Sequence, residues 1–192
     1  MSLEAMETSL PGVWVFKPRV FGDSRGFFLE TFHAEKYRDF GLDKPFLQDN
    51  HSHSARGVLR GLHYQLKQPQ GKLVSVLRGE IFDVAVDIRK GSPTFGQWAG
   101  ARLSGENHHQ IYIPEGFAHG FCVLSESADV YYKCTALYRP GDEFGILWSD
   151  AEIGIDWPLP GQPLLSEKDL ANPRLAEAPP GNLPPFFTDP TS

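Results

Sequence analysis

The most informative part of the sequence is the stretch Gly57-Val58-Leu59-Arg60-Gly61-Leu62-His63-Tyr64-Gln65. It places one histidine, His63, between a glycine-bracketed turn and an apolar run, and two cations, Arg60 and Lys72, flank this histidine in sequence. Histidine is the side chain whose ordinary pKa lies nearest neutral pH, so it is the first choice for proton transfer. The stretch therefore predicts a base that works beside groups able to hold negative charge.

The spacing around His63 resembles the first motif of cupin barrels, which runs Gly, five residues, His-x-His, a Glu a few residues later, six residues and Gly. Here five residues separate Gly57 from His63, Gln65 takes the second His position, Lys72 replaces the Glu, and Gly79 follows after six residues. A charged lysine has three donors and no lone pair, so it repels a divalent cation. We therefore expect no metal in this site.

A second cupin motif, Pro-x-Gly-x-x-His-x-x-x-Asn, is similar to Pro114-Glu115-Gly116-Phe117-Ala118-His119, with Val123 at the Asn position. Taken alone, His119 has the apolar neighbours of a hydrogen-bonded core histidine. The paired cupin spacing instead indicates that it projects into the same barrel interior as His63. Many short strands with frequent turns favour the same fold, so we expect an all-β, cupin-like double-sheet jelly roll barrel with a few short peripheral helices.

Longer blocks resemble the dTDP-4-dehydrorhamnose 3,5-epimerase family, from about Pro11 to about Pro173. The blocks are Phe46-Leu47-Gln48-Asp49-Asn50, Val58 to Gln65, Phe82 to Arg89, Ser92-Pro93-Thr94-Phe95-Gly96 and Ile113 to Phe121. The resemblance implies inversion of C3 and C5 in a dTDP-4-keto-6-deoxy sugar, by proton removal next to the ketone and reprotonation on the opposite face. It implies no cofactor, and a homodimer that exchanges N-terminal strands.

The resemblance also implies roles for individual residues. His63 would be the base, Asp169 would orient it, Lys72 would stabilise the enolate oxygen, and Tyr132 would donate a proton from the other face. The implied substrate contacts are Arg25, Glu30, Gln48, Asn50, Arg60, Lys72, His119, Glu143 and Lys168. In an exchanged dimer, Arg25 and Glu30 would serve the partner's site.

Some of these residues have simpler explanations that the sequence leaves open. Ser166 and Asp169 have the spacing of a helix capping box. Arg25 and Glu30 bracket a predicted strand, where a solvated ion pair contributes almost nothing to stability. The closely spaced His51 and His53 suggest a metal site, but no carboxylate or third histidine follows at a matching offset, and we expect none.

Alternation along two further strands predicts which side chains face inward. In one strand Phe82, Val84, Val86 and Ile88 share a face opposite Asp83 and Asp87, which is typical of a half-buried strand. Asp83 is then either a polar surface residue or a group that the fold brings near His63. In the other strand Tyr132 shares its face with Val130 and Cys134, so it should point inward, either as ordinary aromatic packing or as the implied donor.

Length and composition limit the classes of protein to which the chain can belong. At 192 residues, with 41% hydrophobic and 22% charged residues, the chain has the profile of one globular domain. The net charge of −6 disfavours a nucleic-acid-coating role. The two cysteines give no disulfide framework, which fits a reducing cytoplasm. No apolar run approaches the ~20 residues of a membrane span, so we expect no membrane partner.

We divide the chain into a loose N-terminal segment over 1–10, an epimerase barrel over 11–175 and a loosely held, proline-rich tail over 176–192. Three other functions stay open from the sequence. They are an epimerase of another deoxysugar pathway that inverts C3 only, a metal-dependent cupin, and a non-enzymatic module that binds sugar nucleotides.

Overall fold

The computed structural model describes residues 3–187, which form thirteen strands and two short α-helices. The strands are β1 Glu4–Glu7, β2 Trp14–Lys17, β3 Val20–Asp23, β4 Gly26–Leu29, β5 Gln48–Ala55, β6 Leu59–Gln65, β7 Lys72–Arg78, β8 Glu80–Asp87, β9 Trp98–Ser104, β10 Gln110–Ile113, β11 Phe117–Val123, β12 Ser127–Cys134 and β13 Glu143–Gly145. The helices are α1 Ala34–Arg38 and α2 Glu167–Leu170, and two 3₁₀ turns follow at Leu175–Glu177 and Pro180–Asn182.

Two antiparallel sheets face each other, as the jelly-roll prediction requires. One has six strands in the order β1-β2-β10-β7-β12-β5, and the other has five in the order β13-β6-β11-β8-β9. β3 and β4 form a separate hairpin. No helix within residues 3–187 is long and apolar enough to cross a membrane. The all-β prediction with a few short helices is confirmed.

The core has three layers. Between the sheets, Val74 and Val130 of the six-stranded sheet pack with Ala85 and Phe121 of the five-stranded sheet. The outer face of the five-stranded sheet is covered by the segment 146–183. The outer face of the six-stranded sheet is partly covered by the segment 32–46, which includes α1. The space between the sheets is the barrel interior, which also holds the polar site described below.

β8 is buried on both faces, so its interpretation as a half-buried strand was wrong. Val84 and Val86 do share a face, but that face packs under the C-terminal segment instead of facing solvent. The opposite face points into the barrel, where Asp83 and Asp87 are both fully buried. Alternation identified the two faces correctly but could not show that a later part of the chain covers the outer one.

The two ends of the chain are better ordered than expected. Residues 4–7, inside the segment expected to be loose, form β1 and pair along β2. Ala178 and Leu183 of the expected tail are buried against the five-stranded sheet, and the Phe186 N–H donates to the Lys90 carbonyl at 2.9 Å. A few apolar side chains therefore suffice to hold this segment. Residues 1–2 and 188–192 lie outside the described residues.

Candidate active site

A β-bulge brings two of the predicted site residues onto the inner face of β6. Across the β6–β11 pair, His63 lies opposite His119 and Arg60 lies opposite Phe121, so two residues of β6 oppose only Gly120. In a regular strand, residues three apart point to opposite faces. Because of the extra residue, Arg60 and His63 both face inward with their partners on β11.

The bulge depends on glycine at position 61. Gly61 has a φ of +122°, and a Cβ added there would lie 2.6 Å from the Gly120 Cα and 2.7 Å from the His119 carbonyl oxygen. The backbone of β11 thus occupies the space that a side chain at position 61 would need. The close approach of the two strands explains why the motif around His63 contains this glycine.

His63 is paired with the buried carboxylate of Asp169, which comes from α2. The imidazole Nε2–H donates to Asp169 Oδ1 at 2.5 Å. Burial by itself raises the pKa of the Asp169 carboxyl, but the hydrogen bond and charge of His63 outweigh it and leave this pKa below its usual value. Ser166 also caps α2 by accepting a hydrogen bond from the Asp169 N–H at 3.1 Å. Asp169 therefore takes part in the helix cap through its backbone N–H and contacts His63 through its side chain at the same time.

The other ring nitrogen of His63 faces a second carboxylate. His63 Nδ1 lies 4.0 Å from Glu143 Oε1, and Glu143 also accepts hydrogen bonds from the Lys168 ammonium and, at 3.1 Å, from the Tyr138 hydroxyl. Burial raises the pKa of Glu143, but Lys168 and His63 draw it below its ordinary value. Glu143 and Lys168, both implied substrate contacts, are thus placed beside His63.

Tyr138 was missed by the sequence analysis. It lies in the loop between β12 and β13, where no alternation or motif spacing marks it. Its backbone N–H donates to the Gln48 side chain at 2.7 Å and its side chain is about half exposed at 47%. An exposed aromatic ring beside a polar pocket was the one signal available, and it is visible only in three dimensions.

Lys72 begins β7 and alternates with the buried Val74, so it shares the inward face. Within residues 3–187 its ammonium makes no hydrogen bond or ion pair. Burial lowers the pKa of Lys72 below its ordinary value, and the nearby charges of Asp83 and Glu143 oppose this. The unpaired Lys72 side chain is therefore available to an oxygen of a bound ligand.

Tyr132 faces the barrel interior, as predicted. It packs against the cluster between the sheets beside Val130, whereas Tyr131 lies on the outer face and donates to Asp49 at 2.6 Å. Burial raises the pKa of the Tyr132 hydroxyl, and the charge of Arg60 opposes that rise. The hydroxyl is therefore protonated at neutral pH and can act as a donor.

Asp83 lies against His119 instead of His63. The His119 Nε2–H is shared between both Asp83 oxygens, at 3.0 and 2.9 Å. Burial lowers the pKa of His119, although the Asp83 charge and hydrogen bond oppose this. His63 and His119 are therefore two histidines in one interior, each held by its own carboxylate.

Amide side chains line the inner face of the edge strand β5. Gln48 Nε2 donates to Asn50 Oδ1 at 2.9 Å, and Asn50 Nδ2 lies 3.5 Å from the Cys134 thiol. On the same face, Arg60 Nε donates to the Ser54 hydroxyl at 3.0 Å. Gln48 and Asn50 are half-buried and Arg60 is exposed, so these side chains lie towards the open end of the barrel on the side of Tyr132, which lies opposite Asn50 in the β5–β12 pair.

Two predicted residues are not brought to this interior. Arg25 pairs with Asp23 at 2.6 Å on the β3–β4 hairpin, and Glu30 pairs with Lys36 at 2.5 Å. The hairpin forms a sheet of its own. Among residues 3–187 of one chain, therefore, the partners of Arg25 and Glu30 are local.

The interior suits proton chemistry better than metal binding. A metal between His63 and His119 would compete with the carboxylates that engage both Nε2 atoms, and the Lys72 ammonium lies in the same space. On the outer face, His51 and His53 do meet a carboxylate, because both contact Asp129 at 3.2 and 3.0 Å. It comes from the neighbouring strand β12, which sequence offsets could not show.

The chain is similar over most of its length to proteins of one family. A family model described as dTDP-4-dehydrorhamnose 3,5-epimerase matches residues 7–177. A Neisseria gonorrhoeae protein of that name is 57% identical over 176 residues, which cover 92% of this chain and 54% of the relative. The chain thus spans about half the length of that relative. A Pseudomonas aeruginosa protein of the same name is 56% identical over 177 residues, covering 92% of this chain and 98% of the relative.

Among solved structures, one similar protein is a dTDP-6-deoxy-D-glucose-3,5-epimerase from Legionella pneumophila, crystallised with dTDP-4-keto-L-rhamnose. It superimposes with a TM-score of 0.95 at 53% identity, covering 97% of this chain and 100% of that chain.

Proposed function

The chain belongs to the dTDP-4-dehydrorhamnose 3,5-epimerase family, and from that premise we propose that it inverts both C3 and C5 of dTDP-4-dehydro-6-deoxy-D-glucose to give dTDP-4-dehydro-L-rhamnose. The observation that supports this most directly is that one barrel interior holds a histidine paired with a carboxylate, a lysine with no partner among residues 3–187, and a protonated phenol. These are His63 with Asp169, Lys72 and Tyr132.

The chemistry requires only proton transfer. A hydrogen on a carbon next to a ketone is acidic because the resulting enolate spreads its charge onto the ketone oxygen. Returning the proton to the opposite face inverts the carbon. Lys72 has no protein partner among residues 3–187, so in its charged form it can stabilise the developing oxyanion, and such stabilisation is much stronger in a dry interior than in water.

His63 serves as the base. Asp169 holds Nε2–H, so Nδ1 is the nitrogen that can take a proton from the sugar. The ionised Asp169 then stabilises the imidazolium that forms, as in other oriented histidine pairs. Tyr132 lies on a different strand in the opposing sheet and supplies the proton for the other face of the ring.

The remaining polar residues bind the nucleotide sugar. Arg60 offers a guanidinium to the diphosphate, where planar, forked donors make strong charge-assisted hydrogen bonds. Gln48 and Asn50 offer amide donors and acceptors on the same inner face. The other proposed contacts are His119, Glu143 and Lys168.

A homodimer completes the site in this proposal. The β3–β4 hairpin pairs only with itself among the described residues and exposes Phe27 and Phe28 by 61% and 69%. Such exposed aromatics are typical of a protein interface. If the hairpin reaches the partner subunit, Arg25 and Glu30 enter the partner's site, which accounts for their separation from His63 within one chain.

We place the enzyme in the cytoplasm, in the biosynthesis of dTDP-L-rhamnose for cell-surface polysaccharide. Both cysteines, Cys122 and Cys134, are free and buried, which suits a reducing compartment. The proposed reaction takes a nucleotide sugar from a preceding dehydration and delivers a ketone to a following reduction.

The test is proton NMR of the purified enzyme with dTDP-4-keto-6-deoxyglucose in D₂O. Deuterium at both C3 and C5 is the expected result. Deuterium at C3 alone would assign the chain to the single-inversion epimerases of other deoxysugar pathways. Tight binding with no exchange at either carbon would leave a binding module and remove the role given to His63.

A further inference from the structure

The pairing of His119 with Asp83 has a chemical consequence for substrate recognition. The carboxylate accepts the Nε2–H through both oxygens, and Asp83 is fully buried, so it cannot exchange this partner for water. A buried carboxylate without its donor is costly, which makes this tautomer of His119 strongly preferred. The proton of the neutral ring is therefore on Nε2.

The other nitrogen, Nδ1, makes no hydrogen bond among residues 3–187. His119 opposes His63 in the β6–β11 register, so its ring lies in the same interior as the base. Burial, together with the charges of Lys72 and His63, keeps the ring pKa below its usual value. A neutral ring that is protonated on Nε2 has a lone pair on Nδ1, and it can only accept a hydrogen bond there.

We propose that Asp83 is a positioning residue that holds His119 as a hydrogen-bond acceptor, and that the group His119 receives is a hydroxyl of the substrate's sugar ring. The inference rests on the proposed function and gives His119 a specific role within it. A phosphate oxygen at Nδ1 would be repelled, because both atoms present lone pairs. A sugar hydroxyl can instead donate a hydrogen bond to Nδ1. The cations Arg60 and Lys168 suit the diphosphate better.

This arrangement would contribute to specificity. A buried acceptor that finds no donor loses its hydrogen bond with water and gains nothing in return, so a nucleotide lacking the sugar hydroxyl binds less well. The diphosphate and the thymine base of the nucleotide would be bound equally whether or not the ligand carries the sugar. The effect of Asp83 should therefore depend on whether the ligand carries a sugar.

The experiment compares two ligands by isothermal titration calorimetry, dTDP and dTDP-glucose, with the wild type, Asp83→Asn and Asp87→Asn. Asp87 is a matched control, because it is an equally buried carboxylate on the same face of β8 whose partners are Arg89, Ser92 and Thr94. We expect Asp83→Asn to weaken dTDP-glucose binding by roughly 10-fold with dTDP nearly unchanged, and Asp87→Asn to leave the ratio of the two affinities as in the wild type. Equal weakening of both ligands by Asp83→Asn would assign His119 to the diphosphate and overturn the proposal.

Two further measurements separate this role from a merely structural one. Nitrogen-15 NMR of the ligand-free enzyme should show His119 with an unprotonated Nδ1 at neutral pH, and a protonated Nδ1 would overturn the proposal. In a His119→Ala background, Asp83→Asn should cause no further loss of dTDP-glucose affinity. An additive loss would show that Asp83 does not act through His119 and would overturn the proposal. Deuterium exchange by the wild type tests the proposed function independently of all three results.

Discussion

His63 and His119 are direct register partners on β6 and β11, and each gives its Nε2–H to a different carboxylate, Asp169 and Asp83. The surroundings of the two rings differ. Nδ1 of His63 faces Glu143 at 4.0 Å, whereas the His119 ring is more deeply buried and lies near the cations. Each neutral ring thus presents a lone pair on Nδ1, and the group that this nitrogen faces decides whether it takes a proton or accepts a hydrogen bond.

Replacing Tyr132 by phenylalanine should remove the proton donor and leave the binding site intact. The ring packs against the core between the sheets, so the phenylalanine retains that packing and loses only the hydroxyl. We expect inversion to fall by roughly 10²-fold or more, with dTDP affinity within a few-fold of the wild type. A turnover assay measures the rate of inversion, and isothermal titration calorimetry measures the affinity for dTDP.

The control is Tyr131→Phe, one residue away on the outer face, where the hydroxyl has Asp49 and Lys133 as its partners among residues 3–187. It should leave turnover close to the wild type. If Tyr132→Phe instead loses nucleotide binding and keeps its turnover at saturation, Tyr132 holds the substrate and another group donates the proton.

The inward orientation of Tyr132 could be predicted because alternation in β12 is regular. The positions of Arg60 and His63 on one face could not, since their spacing in a regular strand would separate them and only pairing with β11 reveals the bulge. Long-range contacts are missed for the same reason. Asp83 contacts His119, and the hydroxyl of Tyr138 contacts Glu143, only because the folded chain brings these residues together. Their separation in the sequence does not predict either contact.

Gly61→Ala should disrupt the bulge and with it the site. The new methyl group would lie 2.6 Å from the Gly120 Cα, so the two strands must separate, and the backbone at φ +122° is also unfavourable for alanine. We expect the free energy of unfolding to fall by about 2 kcal/mol or more. Turnover should fall further than the lost stability accounts for, because Arg60 and His63 flank this position.

Gly57→Ala provides the comparison. Gly57 also has a positive φ, +79°, but nothing lies within 4 Å of an added Cβ. Only the backbone preference is lost, so the cost should be about 1 kcal/mol with turnover retained. Equal effects of the two substitutions in urea unfolding would show that close strand approach at Gly61 is unimportant.

Asp87 should make the stability of the fold depend on acidic pH. Burial raises the pKa of this carboxyl, but hydrogen bonds from Arg89, Ser92 and Thr94 outweigh burial and hold the pKa below its ordinary value of 3.8. A carboxyl whose pKa is lowered by folding stabilises the protein above its unfolded pKa, and this contribution is lost as the pH falls through the lower, folded pKa.

We therefore expect Asp87→Asn to reduce the free energy of unfolding by about 3 kcal/mol at neutral pH, and the gap from the wild type to shrink as the pH falls below 3.8. Urea unfolding at several pH values measures this. Asp156→Asn, at an exposed position, should show a small difference throughout. A gap for Asp87→Asn that stays constant down to strongly acidic pH would contradict the pKa argument.

Mixing two impaired variants tests whether the hairpin serves the partner's site. His63→Asn should lower turnover by roughly 10²–10⁴-fold through loss of the base, and Arg25→Ala should weaken turnover through loss of a substrate contact. In a hybrid dimer with exchanged hairpins, one site carries both defects and the other carries neither. Co-expression of the two variants should then recover roughly a quarter of wild-type activity, since about half of the dimers are hybrids with one intact site. Within the described part of its own chain Arg25 pairs with Asp23 alone, which is why its contribution is expected in the partner. If mixed samples show no more activity than the average of the two separate variants, Arg25 either serves its own subunit or does not contact the substrate.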